Sequence, residues 1–172
     1  MDSNWNISDD LFPNDISVYH ASGSFKDLCI SLSGDSPPLF YVSTHSSWSS
    51  KPSVVLHGGP IPSVSPLASA HFHSFSSAVD IALGNENHNL IKRGIFSTSL
   101  TFEVFISSTS QNEYFTWKSS WGAKVASIQG RNYGLKLVRA STGEVVAPWA
   151  KPKSSIRKKG KLRFLVRDFY IQ

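Results

Sequence analysis

Hydrophobic and polar residues alternate with a period of two along most of this chain, which predicts strands. The clearest stretch runs from Asn112 to Ala150. Within it Tyr114 to Lys118, Tyr133 to Arg139 and Glu144 to Trp149 read as three strands. Tyr133, Leu135 and Leu137 share one face, with Lys136 on the other; Val145, Ala147 and Trp149 also share a face. Ser141-Thr142-Gly143 is a short polar connection containing glycine, so the last two strands are predicted to form a hairpin.

The same pattern recurs through the rest of the chain. Asp27 to Ser33 sets Leu28, Ile30 and Leu32 on one face. Leu39 to Thr44 follows the Pro37-Pro38 stop, and Ser53 to His57 ends at Gly58-Gly59. Leu67 to Phe75, Ala78 to Leu83, Asn89 to Lys92, Thr98 to Ile106 and Lys161 to Arg167 complete the series. Val79 to Leu83 also fits a single helical turn. Clusters of Gly, Pro, Ser and Asn separate the runs at roughly ten-residue spacing, the mark of an all-β sandwich or barrel. No longer window sustains a helical period, and β-branched and aromatic residues dominate the runs. Residues 1–15 are polar and acidic and read as a flexible N-terminal arm, anchored through Trp5 or Phe12; residues 16–172 read as one β domain without internal repeats.

A chain of 172 residues is long enough to bury a core without disulfides, and its one cysteine, Cys29, allows no intramolecular bridge. MDSNWNISDDLF lacks the apolar core of a signal peptide. No apolar run approaches the roughly 20 residues that span a bilayer as a helix, so no transmembrane segment is expected. These features favour an intracellular, soluble protein of the cytoplasm, with the membrane periphery or the nucleus as alternatives.

The net charge of +5 conceals an asymmetry: residues 1–100 sum to −4 and residues 101–172 to +9. The densest basic stretch is Lys151 to Lys161, with Lys151, Lys153, Arg157, Lys158, Lys159 and Lys161 and no acid. It reads as a loop between two strands that binds phosphate or another anion, of a lipid headgroup above all, or as a nuclear import signal; the plain alternative is a solvated loop. Aromatic residues do not interleave with its charges, which disfavours nucleic acid.

Other candidate chemistry is sparse. His71 and His73 flank Phe72 at strand spacing and could ligate a metal with His45 or His57, though polar surface or cavity lining is the commoner role of such a pair. Cys29 sits in the apolar run Leu28-Cys29-Ile30, where an inert buried thiol is the usual case. Nucleophile-elbow, P-loop, dinucleotide-binding and zinc-protease motifs are all absent, so no catalytic residue, metal site or cofactor is assigned.

The chain resembles the tubby C-terminal-like superfamily, which includes LURP-one-related proteins and phospholipid scramblases, and more closely tubby-like proteins of filamentous fungi. The matching residues are Phe40 to His45, Val54 to Gly59, Phe115 to Lys118, Gly134 to Arg139, Thr142 to Ala147 and Gly160 to Phe164. The resemblance covers about Leu39 to the C-terminus and lies in strand and turn motifs. It implies a twelve-stranded antiparallel barrel around a central apolar C-terminal helix. No such helix follows the run Leu162 to Ile171. The expectation is therefore an antiparallel tubby-like β-barrel of about eleven or twelve strands, open or incomplete at the C-terminus, partly collapsed with an exposed apolar groove; the alternatives are an interior plugged by the arm through Trp5, Leu11 and Phe12 or one that admits an apolar ligand or partner segment. The superfamily is known for phosphoinositide binding and membrane-associated roles, but no lipid-binding residue of tubby carries over to this chain. The resemblance and the basic stretch together imply a non-enzymatic module for anionic membrane surface, phosphorylated lipid or a protein partner. The rival expectation is an enzyme or accessory protein of small-molecule (secondary) metabolism that uses the barrel interior as its pocket.

Overall fold

The computed structural model describes residues 14–46, 48–73, 78–84, 86–92, 99–106, 109–128 and 130–165. Twelve strands follow one another: β1 (Asp15–His20), β2 (Leu28–Ser31), β3 (Phe40–Thr44), β4 (Val54–His57), β5 (Pro66–Phe72), β6 (Ala78–Leu83), β7 (Glu86–Lys92), β8 (Leu100–Ile106), β9 (Gln111–Ser120), β10 (Gly130–Arg139), β11 (Val145–Pro152) and β12 (Lys158–Arg163). One short helix, α1 (Ala123–Ala126), lies between β9 and β10.

Each strand pairs antiparallel with its sequence neighbours, and β1 also pairs with β12, so the strand order closes into an up-and-down barrel. Hydrogen-bonded pairing is thin at two seams. Among the described residues β7 meets β8 through Ile91↔Thr101 and Lys92↔Leu100, and β11 meets β12 through Trp149↔Leu162 and Ala150↔Lys161. Among the described residues near the C-terminus the sparse pairing lies at the β11–β12 seam, and β12 itself continues into a longer ladder with β1.

Directly paired residues share a face of the sheet, so the registers trace one face around the ring. Val18↔Ile30, Ile30↔Phe40, Val42↔Leu56 and Leu56↔Ala68 carry it through β1 to β5. Phe102↔Phe115, Trp117↔Leu137, Leu135↔Trp149 and Trp149↔Leu162 carry it through β8 to β12. This face is apolar and turns inward. Its densest part is the cluster Ile106, Phe115, Leu137, Val146 and Ala147, with Phe102, Val104, Trp117, Leu162 and Phe164 packed against it. On the β1–β4 side Val42 is buried, whereas Ile16, Val18, Leu28, Ile30, Phe40 and Leu56 are only half-buried.

Two elements were not legible as a pattern. β1 offers only Ile16 and Val18 as apolar anchors, and its second partner, β12, lies at the far end of the chain. α1 has four residues, too few to display a period, and is held by Val125 and Ile128 packing on Ala150. Asp15 belongs to β1 and not to the arm. Val79 to Leu83 is strand, within β6. The arm's Trp5, Leu11 and Phe12, and the run from Val166 onward, lie outside the described residues.

Candidate anion-binding rim

Because the chain goes up and down around the ring, its connections alternate between the two ends of the barrel. Those between β1 and β2, β3 and β4, β9 and β10, and β11 and β12 all fall at one rim, as the end pairs His20↔Leu28, Thr44↔Val54, Gly134↔Ser120 and Tyr19↔Lys158 require. These four connections carry Lys26, Lys51, Lys124, Lys153 and Arg157, flanked by Lys118, Arg131, Lys151, Lys158 and Lys159 on the strand ends. The described residues of the connections at the opposite rim, 32–39, 58–65, 84, 109–110 and 140–144, include no lysine or arginine. Among the described residues the loop cations thus gather at one end of the barrel, while the basic strand-end residues of the other end, Arg139 and Arg163, are paired with Glu113 and Asp15.

The basic stretch is not a simple loop. Lys151 is the penultimate residue of β11; Lys158, Lys159 and Lys161 belong to β12; only Lys153 and Arg157 lie in the turn between them. Lys151, Lys153, Arg157 and Lys159 are exposed. Lys158 is half-buried, with its ammonium 5.7 Å from the centre of the Tyr19 ring. Lys161 stands apart, because its Nζ lies 2.7 Å from Asp15 Oδ2. Arg163 donates to the same carboxylate from Nε (2.6 Å) and Nη2 (2.9 Å). The Arg163 hydrogen bonds, with help from Lys161 and against the cost of burial, hold the Asp15 carboxyl down at about 2. Lys161 thus has a structural partner at the β1–β12 seam.

Among the residues of the four connections there is one acid, Asp27, and its charge is taken up internally. Oδ1 accepts the Thr44 N–H (2.9 Å) and Oδ2 accepts the Tyr41 hydroxyl (3.0 Å). Burial works against ionisation, yet these bonds keep the Asp27 carboxyl below its ordinary value. Burial, together with Asp27, pushes the Tyr41 phenol up. The cluster ties the β1–β2 connection to β3. On the same face, across from Tyr41, the half-buried Cys29 thiol is pushed up by burial, as an inert thiol should be.

The histidines fall at different places. His57 is buried, with Nε2 2.8 Å from Ser43 Oγ and Nδ1 2.9 Å from the Val64 carbonyl. A Ser–His pair oriented by an acceptor has the outline of an activated nucleophile. Here both contacts also satisfy a buried ring and pin the connection 58–65 onto β4. His45 bonds the Pro52 carbonyl through Nδ1 (2.8 Å). The His71 and His73 rings meet edge-to-face with centres 5.0 Å apart, and His73 Nε2 lies 2.6 Å from Asp80 Oδ2. Among the described residues no group of three His, Cys, Asp or Glu is arranged to hold a metal ion. Nor is any described helix long and apolar enough to cross a membrane.

The chain matches no family model, no curated protein and no solved structure. The rim must therefore speak through its own chemistry. The sequence located the β11–β12 cations but missed Lys26, Lys51 and Lys124, which lie far away along the chain. The signal that could have found them is topological: in an up-and-down barrel, every second connection shares an end.

Proposed function

We propose that the protein is a β-barrel module that docks on anionic membrane surface, with the rim of the β1–β2, β3–β4, β9–β10 and β11–β12 connections toward the phosphates. The observation that carries this reading is the gathering of loop cations at that rim, where the one acid of the four connections is hydrogen-bonded to Tyr41 and Thr44, while the described connections of the opposite rim hold no basic residue. Exposed lysines and arginines near an anionic surface contribute about 1 kcal/mol each, so Lys151, Lys153, Arg157 and Lys159 together suffice for reversible adsorption. The resemblance to the tubby-like superfamily, with its phosphoinositide-binding members, points the same way.

Sedimentation with large vesicles tests it. Phosphatidylcholine vesicles with added phosphatidylserine or a phosphoinositide should retain the protein at physiological salt, and phosphatidylcholine alone should retain far less. Equal partitioning onto both, or onto neither, overturns the reading.

A further inference from the structure

The most exposed large apolar side chains among the described residues are Trp48 (96 %), Phe25 (93 %), Ile156 (92 %) and Trp121 (77 %). They come from four different connections, and these are the same four connections that carry the basic rim. Each connection thus presents one bulky apolar side chain, next to at least one lysine or arginine: Phe25 beside Lys26, Trp48 near Lys51, Trp121 near Lys124, and Ile156 beside Arg157. Isolated exposed apolar residues are ordinary. Four on the connections of one rim, each with a cation close by in sequence, set apolar tips and positive charge at the same end of the barrel.

The four tips are built and held. Ser24 Oγ accepts the N–H groups of Lys26 and Asp27, and Asp27 in turn binds Tyr41 and Thr44, which fixes the turn that displays Phe25. The Trp48 connection is closed by the His45 N–H on the Ser53 carbonyl, the His45 ring on the Pro52 carbonyl and the Ser49 N–H on the Ser46 carbonyl. Trp121 packs 4.7 Å from Tyr133 and precedes the turn that Ser120 Oγ fastens through the Gly122 N–H. Ser155 Oγ accepts the Lys158 N–H, and the Arg157 carbonyl accepts the His20 N–H, bracketing Ile156. Side chains this large are thus held out in solvent by ordered backbone.

A surface that combines indole and aliphatic tips with a ring of cations matches the boundary of an anionic bilayer. The tips reach past the phosphates into the headgroup–acyl region while the lysines and arginines stay at the phosphate level. A protein partner would favour a contiguous apolar patch; here the tips are separate and spread along the edge of a ring. We infer that Phe25, Trp48, Trp121 and Ile156 are membrane-inserting residues, which dock the barrel end-on with its axis across the bilayer plane. This rests on the anionic-membrane reading and adds to it penetration and a fixed orientation, which adsorption by charge alone does not give.

The test uses the full chain and vesicles of phosphatidylcholine with phosphatidylserine, some carrying bromine on the acyl chains. Binding should shift indole emission to the blue, and the brominated lipid should quench it. Trp48→Phe and Trp121→Phe should each remove part of the quenched signal and leave partitioning nearly unchanged. Trp48→Ser with Trp121→Ser, and separately Phe25→Ser with Ile156→Ser, should weaken partitioning at least tenfold with the melting temperature held. Charge-dependent binding with unquenched, unshifted indoles overturns insertion and leaves the docking proposal standing. Insertion is overturned in the same way if both pairs of serine variants bind as tightly as the parent. Absence of binding to any anionic vesicle overturns both.

Discussion

The Trp149 indole occupies the space that a side chain at position 160 would fill. A Cβ placed on Gly160 would collide with the Trp149 ring atoms Cζ2, Cη2 and Cε2. The two residues sit on β11 and β12, and the indole lies across the seam where those strands share only two paired positions. Gly160→Ala is therefore expected to push the ring off the seam and destabilise the barrel by about 1–3 kcal/mol, the range for overpacking a tight site. Urea unfolding with β-sheet circular dichroism measures it. An unchanged midpoint would mean that the seam tolerates displacement of the indole.

Asp15 links β1 to β12 through Arg163 and Lys161, and its carboxyl is lowered from 3.8 to about 2. A carboxyl depressed in the folded state contributes stability above its unfolded value, and that contribution is lost as pH falls through the folded one. The window is thus from about 4 down to about 2. The side chain is a third exposed, so screening trims the contribution to about 1 kcal/mol. Asp15→Asn should lower stability at pH 7 by about that amount and flatten the dependence of stability on pH between 4 and 2. Parallel curves for the two proteins across that window would refute the linkage.

Lys161 and its neighbours should separate by assay. Replacing Lys151, Lys153, Arg157 and Lys159 together by glutamine is expected to reduce partitioning onto phosphatidylserine vesicles by at least a hundredfold at physiological salt, since each contributes about 1 kcal/mol. The melting temperature should stay within a few degrees. Lys161→Gln is expected to do the reverse, lowering stability through the loss of its Asp15 contact while partitioning changes little. Equal losses of binding from Lys161→Gln and from the fourfold variant would contradict this division.

The His57 ring joins Ser43 on β3 to the Val64 carbonyl in the connection after β4. His57→Ala removes both bonds and leaves a buried gap, an expected cost of about 2–3 kcal/mol; Ser43→Ala removes one bond, about 1 kcal/mol. Chemical denaturation of the two variants gives the order. If Ser43→Ala proves as costly as His57→Ala, the ring is not the pin described here.

The strands were legible where hydrophobic alternation was long and self-contained. Tyr114 to Lys118 and Tyr133 to Arg139 fall inside β9 and β10, Thr98 to Ile106 covers β8 and overshoots its start, and Gly143 at φ 73° serves the predicted hairpin. β1 was not, because two apolar residues make a weak pattern and its partner β12 is supplied from the far end of the chain. Half of the rim was legible for the same reason: Lys151 to Lys161 announces itself as a run, whereas Lys26 with Phe25 and Lys51 with Trp48 look like ordinary loop residues. Their grouping exists only once the strand order is known. A local pattern also could not show that Lys161 is spoken for, since Asp15 lies so far upstream.

Every ladder of the barrel but one joins strands adjacent in sequence. The exception brings Arg163 to Asp15 across 148 residues. Hairpins zip within microseconds, so the ribbon from β2 to β11 can assemble by local steps before its ends meet. Closing a loop of that length costs only about 2 kcal/mol more than closing one of ten residues, because the entropy grows with the logarithm of length. The ring's final join is then a late event with few contacts formed in the transition state. Weakening the Asp15–Arg163 clasp should leave the refolding rate nearly unchanged and hasten unfolding. The clasp governs how long the barrel stays shut rather than how quickly it forms.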